Sequence, residues 1–97
     1  MRIISRKAIR EFVQVHPLAE GPLDAWYQIA KKADWANLVD VKKVYPHADL
    51  VGDYTVFNIH GNRYRLIGEI NYRYRTIYIR SILTHKEYDK GSWKHGY

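Results

Sequence analysis

Arginines set into alternating apolar segments are the first chemically suggestive feature of this chain. The segment "RYRLIGEI" (63 to 70) carries Arg63 and Arg65, and "TIYIRSIL" (76 to 83) carries Arg80. Directly afterwards "THKEY" brings His85, Lys86 and Tyr88, while His60 stands just before the first arginine segment. A guanidinium offers a planar fork of donors that fits a phosphate, and fixed cations stabilise the charge that builds on a pentacovalent phosphorane. An imidazole titrates near pH ~6.5 when unperturbed, so His85 can act as general base or acid. Tyr88 can stack on a base or donate a proton to a leaving 5′ oxygen. Base, acid and cation are the three roles needed when the 2′-OH of RNA attacks its neighbouring phosphate. The competing reading spreads the same arginines over a solvated face, paired with Glu69, Glu87 and Asp89. Two arginines at matching depth beside a histidine and a tyrosine favour the anion site.

Other chemistries find little support. His16, His47 and His95 stand apart, without HxxxH or HxH spacing, and there is no cysteine to join them. No metal site or other cofactor is therefore expected, which points to ribonuclease-type chemistry rather than DNA cleavage. Walker, GxGxxG, HExxH and GxSxG motifs are all missing from the sequence. The charge balance agrees with a polyanionic partner: 16 Lys and Arg against 10 Asp and Glu give a formal charge of +6 in 97 residues, with nine tyrosines and three tryptophans as flat surfaces. The lack of cysteine fits a reducing cytoplasm, and no apolar run approaches the ~20 residues of a membrane span. The length suits one domain, residues 1–97, acting in the cytoplasm and away from membranes.

The elements that must position these residues fall into two halves. Ser5 is a good N-cap, and Ala8, Ile9, Phe12 and Val13 follow at helical spacing, predicting a helix over 6–15 that ends before Pro17. A second helix, starting between 18 and 22, carries Leu23, Trp26, Ala30 and Ala33 on one face. Asn37 caps a third, with Leu38, Val41 and Val44 inward and Pro46 as its stop. The pattern then alternates, predicting strands over 55–59, 63–70 and 76–83. Gly61-Asn62 reads as a two-residue type II′ turn, pairing His60 with Arg63. Asn58 then opposes Arg65 and Val56 opposes Ile67 on one face, with Ile59 on Tyr64 and Phe57 on Leu66 on the core face. Pairing Ile70 with Ile77 sets Gly68 against Ile79, Tyr64 against Leu83, and Arg80 beside Ile67, diagonal to Arg65. One helical turn is expected around 85–90 before the tail frays. The fold class is α+β: an N-terminal strand and two to three helices packed on an antiparallel sheet.

At the level of whole blocks the chain resembles the HigB toxins of bacterial toxin-antitoxin systems, within the wider RelE-like family of mRNA interferases. The resemblance rests on "ISRKAIREF", "AWYQIAKKADW", "VFNIHGNRYRLI" and "YIRSILTHKEYDK", in that order and nearly end to end, with a tryptophan shortly after. It implies a compact RelE-like fold, endoribonuclease cleavage of mRNA during translation, and growth arrest when unopposed. It also implies a HigA-type helix-turn-helix antitoxin whose complex with the toxin represses their operon, so that operator DNA is met only through that complex. Carried over by position, Arg65 in "YRL" would contact the scissile phosphate, Arg80 would stabilise transition-state charge, and Tyr88 would stack on substrate or assist proton transfer. His85 departs from RelE itself, whose site leans on lysines and arginines, so the general base lies between His85, ranked first, and Lys86. His60 and Arg63 near the hairpin tip, with Lys86 and with Lys42 and Lys43 on the third helix, are the expected RNA-backbone contacts. From a different class, a noncatalytic RNA-binding or ribosome-binding module would use the same arginines and rings only to hold a backbone.

Overall fold

A computed structural model describes residues 1–95, with side chains through Trp93. Each helix begins where the sequence offers a cap. After strand β1 (Arg2–Ile4), the Ser5 hydroxyl accepts from the Lys7 amide at 3.1 Å and opens α1 (Arg6–Val15). A 3-10 turn over Pro17–Ala19 leads into α2 (Glu20–Lys32). The Asn37 side chain accepts from the Asp40 amide at 3.0 Å to start α3 (Leu38–Val44). Of the residues expected inward on α3, Val41 is fully buried but Val44 is 48% exposed, because the helix is only two turns long and shows the core a single ridge.

Five strands follow the order β1-β5-β4-β3-β2, with β2 at Asp49–Val51, β3 at Tyr54–Ile59, β4 at Tyr64–Asn71 and β5 at Thr76–Thr84. The sheet is antiparallel apart from β1, which lies parallel to β5 along the outer edge and makes the sheet mixed. Helices α1 to α3 cover one face. There Leu23, Trp26, Ala30 and Val41 meet Phe57, Leu66 and Ile77. The Phe57 ring is enclosed edge-on by Trp26 and Tyr45 at 5.3 and 5.5 Å. Burying such side chains is the main stabilising contribution, about 1.5–3 kcal/mol for each large one. A smaller cluster of Val56, Ile67 and Trp93 lies on the other face, with Leu83 and Tyr88 packed against it. The tail is thus anchored at Trp93, 6% exposed, rather than frayed after residue 90, while the expectations for His95's side chain and the last two residues fall outside the described part. No helix among the described residues is long and apolar enough to cross a membrane.

The β3–β4 register is the expected one, with Asn58 on Arg65, Val56 on Ile67, Phe57 on Leu66 and Ile59 on Tyr64. At the turn, Gly61 has φ +65 and the Arg63 amide donates to the His60 carbonyl at 3.3 Å. His60 is itself left-handed at φ +55, so strand pairing stops one residue earlier than the alternation suggests. Along β4–β5, Ile70 pairs with Ile77 and Gly68 with Ile79, and then the ladder slips. Ile67 faces Ser81, Arg65 faces Leu83 and Tyr64 faces Thr84, leaving Arg80 as the extra residue of a bulge. Arg80 therefore does not lie diagonal to Arg65, and Tyr64 does not face Leu83.

Gly68 lies where the slip begins. A Cβ added there would sit 3.2 Å from Ile77 Cγ2 and 3.8 Å from the Phe57 ring. Ile77 is fully buried and held by the strands on either side, so it has little room to move. Gly68→Ala is expected to destabilise the fold by about 1 kcal/mol or more through overpacking, lowering the melting temperature by roughly 4–8 °C in thermal unfolding. An unchanged melting temperature would show that the sheet relaxes around the methyl group.

Candidate active site

Where β5 ends, the five-residue helix α4 (His85–Asp89) begins without a linker. So short a helix is unstable alone, and its tertiary setting holds it. Thr84 and Glu87 form a capping box: the Glu87 amide donates to Thr84 Oγ1 at 3.2 Å, and the Thr84 amide donates to Glu87 Oε1 at 2.9 Å. That backbone amide holds the Glu87 carboxyl below its ordinary range, against an upward push from burial, so Glu87 is a charged cap at neutral pH and not a proton donor. The His85 amide donates to the Arg63 carbonyl at 2.9 Å, tying the helix to the hairpin. At the other end, Tyr88 stacks on Trp93 with centroids 5.2 Å apart. His85, Tyr88 and Asp89 are spaced i, i+3 and i+4, which places them on one side of the helix.

That side meets Arg65. Although only 8% exposed, the Arg65 guanidinium donates to neutral groups: Nη1 to the carbonyls of Asn62 and Tyr64, both at 3.1 Å, and Nη2 to Asn62 Oδ1 at 3.5 Å. Nη2 also stands 3.0 Å from His85 Nδ1. The guanidinium carbon lies 5.5 Å from the centroid of the Tyr88 ring. Guanidinium has donors only, so Nδ1 is the acceptor and the neutral imidazole carries its proton on Nε2. Nε2 lies 3.0 Å from Asp89 Oδ2. A buried cation without a carboxylate on any of these donors is electrostatically incomplete, and a phosphate oxygen would complete it. Burial pushes the Tyr88 phenol up and Asp49 adds to that, while Arg65 pulls it down and Asp89 pushes it up. Tyr88 therefore keeps its proton at neutral pH and can give it away.

Arg65, His85 and Tyr88 are thus brought together as expected; Arg80, Lys42 and Lys43 are not. Arg80 reaches Glu69 instead, with Nε and Nη2 each 3.0 Å from Oε1, and stacks on Tyr78 at 5.1 Å. Glu69 is four residues along β4 from Arg65, a separation of about 13 Å at a strand's rise per residue. Arg63, His60 and Lys86 are exposed around the hairpin and α4, flanking Arg65. Lys42 and Lys43 are exposed on α3, which packs against the helix-covered face, and Lys43 lies 3.6 Å from Asp40. Asn62, Asp89, Asp49 and Trp93 support the site without having been among its expected residues; Asp89, read in the sequence as an arginine partner, stands instead beside His85. The i+4 spacing of His85 and Asp89 was the signal available for one of them. Among the described residues no group of three or more His, Asp or Glu side chains is arranged to hold a metal.

Comparison with known proteins follows the same blocks. The sequence profile of HigB_toxin, described as the RelE-like toxic component of a toxin-antitoxin system, matches residues 19–91. The mRNA interferase toxin HigB of Escherichia coli K12 is 29% identical over 92 residues, covering 92% of this chain and 88% of that protein. The mRNA interferase HigB of Shigella flexneri shows the same identity and coverage, and that of Escherichia coli O6:H1 is 27% identical over 93 residues, covering 93% of this chain and 90% of the relative.

The charges around Tyr88 have opposite signs, which makes the arrangement testable. Arg65→Met removes the downward pull while keeping bulk, so the Tyr88 phenol should titrate at higher pH than in the native protein; Asp49→Asn should move it lower. Residue-specific NMR of the ring carbon through an alkaline titration reads both. Shifts in the same direction in the two variants would contradict the arrangement.

Proposed function

This chain belongs to the HigB toxins, the RelE-like toxic component of toxin-antitoxin systems, and we propose that it is a metal-independent endoribonuclease that cleaves mRNA during translation. The observation that carries the proposal is the buried Arg65 guanidinium, held by neutral acceptors and touching both a candidate base and a candidate acid. In the resting arrangement Arg65 Nη2 occupies the His85 Nδ1 lone pair. When the guanidinium turns to a non-bridging oxygen of the scissile phosphate, that lone pair is released. His85 Nδ1 then takes the 2′-OH proton, the 2′ oxygen bonds to phosphorus, and the P–O5′ bond breaks as Tyr88 gives its proton to the leaving 5′ oxygen. The products are a 2′,3′-cyclic phosphate and a 5′-OH end. Arg65 stays beside both the phosphorane oxygens and the Tyr88 phenolate, where fixed positive charge has most effect.

The other basic residues fit supporting roles. Arg63, His60 and Lys86 hold the RNA backbone on either side of the scissile phosphate, where net positive charge concentrates substrate. Arg80 on Tyr78 offers a contact further along the strand rather than a direct part in the chemistry. Lys42 and Lys43, on the other side of the sheet, suit a larger RNA surface such as the ribosome. The single domain, residues 1–97, would act in the cytoplasm and be neutralised by a HigA-type helix-turn-helix antitoxin, meeting operator DNA only in that complex. Support comes from the family and from relatives named mRNA interferases.

Induced expression followed by mapping of transcript 5′ ends tests the proposal. The native chain should produce new ends in frame within coding regions. Arg65→Ala and His85→Ala should each reduce them by ~10²-fold or more, with circular dichroism unchanged. If both variants remain fully toxic, the assigned site is wrong; toxicity of the native chain without new ends would favour the noncatalytic module.

A further inference from the structure

We propose that Asp89 is a positioning residue that fixes His85 as the base and balances its charge once it is protonated; this rests on the reading of His85 as proton acceptor given above. Two contacts define the imidazole: Nδ1 to Arg65 Nη2 and Nε2 to Asp89 Oδ2, both 3.0 Å. Because Arg65 can only donate, the ring proton sits on Nε2, and the Asp89 carboxylate stands 3.0 Å from that nitrogen. Arg65 thereby sets the tautomer and Asp89 flanks the opposite edge of the ring, with the Nδ1 lone pair directed to the place where Arg65 meets substrate.

The second half of the role follows from charge. When Nδ1 accepts the 2′-OH proton, His85 becomes a cation next to the Arg65 cation. From α4 the neighbouring charged groups are Asp89 and Lys86, and from β4 it is Arg65; Arg63 contributes a backbone carbonyl to the His85 amide. Glu87 is turned away, its Oε1 accepting from the Thr84 amide. Asp89 is thus the carboxylate that faces the imidazolium. The pair is well exposed, with side-chain exposures of 52% for His85 and 60% for Asp89, so it adds little to folding stability. A residue that is dispensable for stability and fixed on the base by spacing on a one-turn helix is placed for catalysis.

The test uses purified full-length protein and a defined mRNA, on translating ribosomes and free. Asp89→Ala should leave the melting temperature and RNA binding nearly unchanged while lowering the single-turnover cleavage rate by on the order of 10-fold or more. Asp89→Glu should restore part of the rate. Asp89→Asn, which can accept from Nε2–H without carrying charge, should keep the tautomer but not the rate. The 15N shifts of the His85 ring should show Nε2–H in the native protein and in both Asp89→Asn and Asp89→Ala, because Arg65 still donates to Nδ1, so that the lost rate reports the missing charge. A native cleavage rate in Asp89→Ala overturns the proposal while leaving the function reading intact, provided His85→Ala is inactive. A fully active His85→Ala overturns both.

Discussion

Taking a guanidinium almost entirely out of water costs several kcal/mol unless its charge is met, and most of this molecule's working end is arranged around one such group. Arg65 is satisfied as a hydrogen-bond donor but not as a cation, since its partners are two carbonyls, an amide oxygen and an imidazole nitrogen. Neutral acceptors keep it in place without neutralising it. Its surroundings then amplify whatever anion arrives, because Val56, Ile67 and Trp93 exclude water from the sheet face beside it. The hairpin supplies two of the acceptors through Asn62, so the turn is part of the site rather than a mere connection.

The sheet makes this possible by having two unequal faces. Three helices cover one face, where Leu23, Trp26 and Val41 pack on Phe57, Leu66 and Ile77 of the sheet and bury most of the apolar area. The other face needs only a small apolar patch, and α4 with the following turn provides it through Tyr88 and Trp93. One short helix therefore closes the secondary core and delivers His85, Tyr88 and Asp89 to the same arginine. Packing and chemistry share residues here. Tyr88 illustrates this: its stacking on Trp93 buries the ring, and burial pushes its phenol further above the ordinary range.

Much of this was legible in the chain because it depends on local signals. Ser5 and Asn37 set helix starts, Gly61 set the hairpin register, and the register put Arg65 on the face away from the helices. What escaped depends on tertiary pairing. The N-terminal strand was expected, but its parallel pairing with β5 could not be read from three residues, and β2, equally short, was missed. The displaced Arg80 had a faint signature, since the apolar spacing in β5 lengthens from two, Ile77 to Ile79, to three, Ile79 to Ile82; that lengthening marks the bulge. Asp89 looked like a surface acid until the fold turned His85 so that both ring nitrogens were engaged.

The central claim is that one cation, Arg65, both captures the scissile phosphate and releases the base it holds at rest. A structure of the protein bound to an mRNA with a single 2′-deoxy nucleotide at the cleavage position, which leaves the phosphate in place but removes the nucleophile, tests it most directly. The account predicts the Arg65 guanidinium on a non-bridging oxygen of that phosphate, with His85 Nδ1 freed from Arg65 and facing the vacant 2′ position. A phosphate seated elsewhere, with Arg65 still on Asn62 and His85, would contradict it.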